Sequence, residues 1–451
     1  MTKYIKFLLL FLLAGTVLDA RSQSTATTST PYSRYGIGDL NPGVLPQNMA
    51  MGGIATAIDR INGYSQVNPL NPASYSAIGL TTIDVGLYTG VFTLTQTGQT
   101  SQRDANFRLS HLTFGVPVSR GSAFAFGLMP YSEVGYNYTR TLDRGFSSST
   151  TTPSPVDTNL TRLSYRGEGG LSKAFFGYGF TIARNLKLGA NISYIFGNIK
   201  QLNSTEFPSL YGALNSRDER SFSVGGVNYD YGAQYQLDLS LTRRVIFAYS
   251  ASAQTAIGTQ KSHIVSHYKT DGLGNESLPT DSTVNIQGAK SKIQLPNIHH
   301  FGISYQRDQK FLVGVDYTMG NWSSLTIDGT NAGMSNSKTL NIGGQITPNI
   351  NSINSYWATV DYRAGLILDQ TYFNVNNVTG GGQTNIKSYA ATFGFGLPLR
   401  AVNGTSFYKI NLAAEVGRRG TLSNGLVREN YFKIRIGFTL NDRWFQRYKF
   451  D

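Results

Sequence analysis

The sequence predicts an all-β fold, a transmembrane antiparallel β-barrel of about 14 strands with an N-terminal plug in its lumen. Three observations lead there. Apolar and polar residues alternate with a period of two along most of the chain, the connections between alternating runs switch between short and long, and an N-terminal stretch rich in Pro and Gly does not alternate. The stretch NLKLGANISYIFGNIK at 185–200 shows the first. Leu186, Leu188, Ala190, Ile192, Tyr194 and Phe196 share one face, and Lys187, Gly189, Asn191, Ser193 and Gly197 share the other.

The chain opens with Lys3 and Lys6 ahead of an apolar run from Phe7 to Val17, followed by the small residues Ala20 and Ser22. That pattern reads as a secretory leader over 1–22, since the run is too short to span a bilayer. The mature chain therefore leaves the cytoplasm. It carries no cysteine, so stability comes from a large closed structure and not from disulfides. The N-terminal segment, 23–79, holds Pro and Gly at short intervals together with Met, Ile and Leu that need burial, which suits a plug inside a lumen.

Alternating runs then fall near 80–97, 104–118, 122–142, 158–183, 186–205, 220–241, 243–268, 282–306, 310–328, 338–348, 357–376, 384–399, 406–420 and 426–440, giving a barrel over 80–442. Short links such as 119–122, 183–185, 242–244 and 307–309 interleave with longer polar ones such as 145–158 and 269–282. Long loops at every second turn are the habit of an outer-membrane barrel, so the oily faces are expected to touch lipid. Residues 443–451 are left as a short periplasmic tail, and the protein is placed in the bacterial outer membrane, in contact with its lipid and lipopolysaccharide.

Charge adds little about partners. The formal charge of +13 is dispersed along the length and no recognition motif accompanies it, so nucleic acid is discounted. Lys433 and Arg435 alternate with Phe432, Ile434, Ile436 and Phe438. They are expected to face a polar lumen, because cations facing lipid near mid-membrane cost about 2–4 kcal/mol each, and to pair there with a ligand carboxylate or with the acids Asp39 and Asp59 of the plug.

Pro130, inside GSAFAFGLMPYSEVGYNYTR, cannot donate a ladder hydrogen bond, and the wall is expected to bulge or bend inward there. Tyr131, Tyr136, Tyr138, Trp322, Trp357 and Tyr372 near strand ends are expected to form interfacial girdles. No cofactor, metal or catalytic site is expected. His263 and His267, four apart on a strand, stand about 13 Å from each other. Ser110 and His111, adjacent on a strand, should point to opposite faces.

Several segments resemble the FadL/TodX family of outer-membrane transporters for long-chain fatty acids and hydrocarbons. AMGGIATAI followed by NPLNPAS is similar to that family's glycine-rich plug and Asn-Pro-Ala motif, here Asn71, Pro72 and Ala73. AFGLMPYSEVGY at 125–136 is similar to its kinked third strand. LPNIHHFGISYQRDQKFLVGVDYTMGNWSSL, DYRAG at 361–365 and FGFGLPL at 393–399 extend the likeness.

NPAS stands where the family has Asn-Pro-Ala-Gly, and the ending ENYFKIRIGFTLNDRWF looks like Bacteroidota members of the group. The resemblance implies passive uptake of a hydrophobic small molecule, gated by the plug, with lateral exit near Pro130. It also implies Asn71, Pro72, Ala73, Pro130, Lys433 and Arg435 as ligand or gating residues. The alternative is a non-transporting accessory or shuttle barrel that binds other outer-membrane or secretion-machinery proteins.

Overall fold

The computed structural model of the protein describes residues 30–142, 160–208, 210, 212–271, 275–399 and 406–444. The expected leader, residues 23–29, the connection at 145–158 and residues 445–451 of the expected tail lie outside these.

Period-two alternation builds a wall of fourteen antiparallel strands: β1 (Thr81–Gln96), β2 (Gln102–Ser119), β3 (Ser122–Leu142), β4 (Thr161–Ala183), β5 (Leu186–Glu206), β6 (Asn215–Ser240), β7 in two pieces (Arg243–Ser252 and Thr255–Tyr268), β8 in two pieces (Asp281–Leu295 and Ile298–Arg307), β9 (Phe311–Gly320), β10 (Ser337–Ile346), β11 (Asp361–Asn376), β12 (Gln383–Leu399), β13 (Phe407–Gly420) and β14 (Val427–Asp442). Each pairs with the next, and β14 returns to β1, from Val427 opposite Gln96 to Asp442 opposite Thr81. The sheet closes. Two boundaries differ from expectation: β6 starts at Asn215, and β9 ends at Gly320, because Trp322–Ser324 turns off as a short 3-10 helix.

The oily face points outward. On β5, Ile192 and Tyr194 are each 50% exposed, whereas Lys187, Asn191 and Ser193 are buried inside. The ends are less regular than the expected alternation of loops. The tight links at 119–122, 183–186, 240–243 and 307–311 share one end, here the turn end, but so does the long connection 346–361. At the opposite loop end, 96–102, 376–383 and 420–427 are short.

Four irregularities shift which residues face inward. Ser110 is an extra residue in β2, since Gly86 faces His111 and Leu87 faces Leu109. Tyr131 is extra in β3, between Pro130 opposite Ser172 and Ser132 opposite Leu171. A bulge at 371–373 interrupts β11, and Pro296 lies in the break of β8.

Residues 30–79 lie within the wall and contact strands on several sides of it. Backbone approaches wall backbone so closely that glycine is required there: a Cβ on Gly365 of β11 would fall 2.2 Å from the Gly52 nitrogen, and one on Gly189 of β5 would fall 2.4 Å from Pro72. Met51, Ile54 and Ile58 pack with Leu312 toward the turn end. Toward the loop end, Tyr32 and Ile37 join Tyr136, Ile195, Trp322 and Tyr372 in the largest apolar cluster. This corrects the expected girdle. Tyr136, Trp322 and Tyr372 are 3%, 1% and 2% exposed and face inward, Tyr131 and Tyr138 pack on the same cluster, and only Trp357 of the six is largely exposed. The bulges at 131 and 371–373 and the turn at Trp322 set that inward phase.

Candidate functional site

Between the two packed ends lies a cavity of about 300 Å³. Its lining includes five cationic and six acidic side chains, among them Arg108, Arg419, Asp39 and Glu415, beside Tyr88, Phe92, Met129 and Pro130. The acids and cations are largely paired. Glu415 of β13 accepts from Arg435 at 2.8 Å and meets Lys433 at 3.5 Å. Arg419 bridges Asp39 at 2.7 Å and Glu429 at 2.8 Å, and Lys173 reaches Asp230 at 2.6 Å. Desolvation works against ionised Asp39, yet Arg419, then Lys433, hold its carboxyl below the usual carboxylate range.

Lys433 and Arg435 therefore face the lumen. Their direct ion-pair partner is the wall residue Glu415, because neighbouring strands β13 and β14 place Glu415 opposite Lys433; Asp39 feels Lys433 only at longer range, and Asp59 does not pair with either. Asp59 instead meets Lys187 at 2.5 Å, with Arg244 at 4.0 Å. Burial opposes its charge, but those two cations hold Asp59 well below the usual carboxylate range.

Asn71, Pro72 and Ala73 stand away from the cavity and fasten the inner segment. Asn71 caps the 3-10 helix Pro72–Ala77, its Oδ1 accepting from the Ala73 amide at 3.1 Å and its Nδ2 donating to the Thr56 carbonyl at 2.8 Å. Pro72 lies against Gly189, and Ala73 is fully buried. Nearby, Asp316 of β9 accepts from the Ala55 and Thr56 amides, both at 2.7 Å.

Pro130 lies on the cavity lining where the wall parts. β2 pairs with β3 from Leu112 opposite Leu128 down to Ser119 opposite Ser122; residues 102–111 and 129–142 do not pair with each other. β3 turns its freed edge to the inner segment. Asp39 and Leu40 sit opposite Glu133 and Ser132, the Asn41 amide donates to the Tyr131 carbonyl at 3.0 Å, and the Thr30 amide donates to the Gly135 carbonyl at 3.1 Å. An ion pair of Arg108 and Glu133 crosses the breach.

The bulge at Ser110 brings Ser110 and His111 to one side, against the expectation that neighbours on a strand diverge. His111 Nδ1 lies 3.2 Å from Ser110 Oγ and Nε2 lies 2.8 Å from Asp84 Oδ1. Asp84 Oδ2 also accepts from Thr439 Oγ1 at 2.7 Å and Gln47 Nε2 at 3.1 Å, so the array links wall to inner segment. None of these residues lines the cavity.

Arg108, Glu133, Glu415 and Arg419 escape a reading of single strands. Their only signal is a lone charge in phase with small inward residues; their partners depend on register.

Among solved structures, the chain is similar to the toluene transporter TbuX of Ralstonia pickettii, at 15% identity and a TM-score of 0.53, covering 89% of this chain and 99% of that one. It is similar to the toluene transporter TodX of Pseudomonas putida, at 14% identity and a TM-score of 0.53, covering 91% and 100%. A FadL homologue of Pseudomonas aeruginosa matches at 14% identity and a TM-score of 0.51, covering 91% and 100%. These likenesses concern the fold. No curated protein matches by sequence. The sequence pattern that defines the BamG family, however, matches residues 1–451. The chain belongs to the BamG family, built on an outer-membrane barrel fold shared with hydrocarbon channels.

Proposed function

We propose that this protein is an accessory barrel of the bacterial outer membrane that binds other outer-membrane proteins, with residues 23–79 as a fixed plug and not a moving gate. A cleaved leader at 1–22 delivers it there, and its outer face contacts lipid and lipopolysaccharide. One observation carries the reading: the inner segment is bonded to the wall around the lumen, through Asp59 to Lys187, the Ala55 and Thr56 amides to Asp316, Asn71 to the Ala233 carbonyl, Asp39 to Arg419 and Thr30 to the Gly135 carbonyl. The space of about 300 Å³ beside it carries five cationic and six acidic side chains among its apolar ones, whereas a gated path for hydrophobic compounds calls for an apolar pocket. Membership of the BamG family, apart from the transporters it resembles in fold, supports the same reading.

Gentle detergent extraction followed by identification of co-purifying proteins tests it. A defined outer-membrane partner at fixed stoichiometry is expected; a barrel that always comes out alone overturns the proposal.

The breach beside Pro130 favours a second reading, plug-gated uptake of hydrophobic molecules with sideways exit, in which Asn71, Pro72, Ala73, Lys433 and Arg435 hold or gate the ligand. Liposomes carrying the purified protein should then take up toluene or a fatty acid faster than empty ones. The accessory reading expects no gain.

A further inference from the structure

The breach leaves one strand edge without a partner at the depth of the hydrocarbon. On the outer face Ile436 of β14, Leu87 of β1 and Leu109 of β2 lie side by side, and so do Phe432, Val91 and Ala105. Residues 105–109 of β2 therefore run within the apolar band. On the side toward β3 no strand pairs with 102–111 among the described residues. Backbone amides and carbonyls there cannot be left to lipid, and a closed barrel normally removes such edges.

The gap cannot be sealed by its other bank. The edge of β3 is already occupied by the chain's own Asp39, Leu40 and Asn41, and Tyr131 is displaced by the bulge. Beside the free edge Phe107 is 67% exposed, more than any other aromatic ring on a described strand, as expected of a side chain with a neighbour on one flank only.

We infer that the free edge of β2 at 102–111 is the docking site for an extended strand of another outer-membrane protein, which adds to the sheet through main-chain hydrogen bonds and packs apolar side chains on Phe107 and Leu109. The inference rests on the accessory reading and names its interface. A main-chain ladder meets the unpaired groups, and an apolar outer face continues the row from Ile436 through Leu87 to Leu109. An ion pair of Arg108 and Glu133 joins the two banks from within.

Hydrogen exchange of the amides at 102–111, compared between the co-purified complex and the isolated barrel, tests this. Exchange should slow about tenfold or more in the complex. The edge at 281–292 of β8, exposed to solvent, should keep its rate and serves as control. A photoreactive residue in place of Phe107 should form an adduct that maps to an extended segment of the identified partner, while one in place of Phe247 on the far wall should not.

Unchanged exchange at 102–111 in a complex that does form overturns the inference and leaves the accessory reading standing. Equal protection in the isolated barrel also overturns it, because the chain itself or lipid would then cover the edge, and so does an adduct with lipid alone. Absence of any co-purifying protein removes the reading beneath it.

Discussion

Two seams of this barrel lie two strands apart and behave differently. Where β14 meets β1, pairing runs unbroken from Val427 to Asp442, although that seam joins opposite ends of the chain. Where β2 meets β3, two strands joined by a tight turn, pairing stops at Leu128, and the rest of β3 faces inward to the N-terminal segment. Closeness in sequence does not decide which seam is whole. A missing N–H at Pro130 and an extra residue at Tyr131 do, because each removes a rung and the second also reverses the side-chain phase.

The comparison can be broken most forcefully at Arg419, which holds Asp39 and Glu429 and so keeps the inner segment against the half-open seam. Arg419→Met leaves Glu429 buried without its cation and takes from half-buried Asp39 its ion-pair partner, with an expected cost of about 3–5 kcal/mol. Denaturant unfolding of the refolded barrel would measure it; a loss under about 1 kcal/mol would mean the segment is held by packing alone.

A smaller effect should follow acidification. The stability that Asp59 supplies through Lys187 and Arg244 is fully present above the ordinary carboxylate pKa of about 4 and is lost as pH falls toward its depressed folded value. Protease sensitivity of residues 44–79 should thus be flat from pH 7 to 5 and rise only below about pH 4, with a weaker rise in Asp59→Asn. A step near pH 6 in the parent would assign the loosening to another group.

The smallest change is at the seam itself. Pro130→Val restores one donor and should extend pairing by a rung, for a gain of about 1 kcal/mol, visible as slower amide exchange near Met129 and no change in β14. If exchange near Met129 is unaltered, the bulge at Tyr131 and not the proline holds the seam apart.

The strands were legible because lipid on one side and water or polar filling on the other impose the same alternation on every strand. LKLGANISYIF of β5 and YFKIRIGF of β14 each announce their faces. Phase shifts were not legible: Ser110 and Tyr131 look like ordinary strand residues, and each reverses its neighbours, which is how Tyr136 came to lie inside and Ser110 beside His111, while the bulge at 371–373 adds two residues, keeps the phase and turns Tyr372 inward. The lumenal pairs were half legible. The inward direction of Lys433 and Arg435 follows from their own strand, but Glu415 as partner follows only from the register of β13 on β14.

The ion pairs of the N-terminal segment also fix an order of assembly. Thr30 meets Glu429, 399 positions later, and Asp39 meets Arg419, 380 positions later. The N-terminal segment, made before the wall strands, is thus among the last parts to be locked, and it must wait, close to its place but unfastened, until β13 and β14 arrive. A chain stalled before those strands would carry every residue of its inner segment and none of the bolts, so quality control at the membrane could recognise an unfinished barrel by its unlocked beginning.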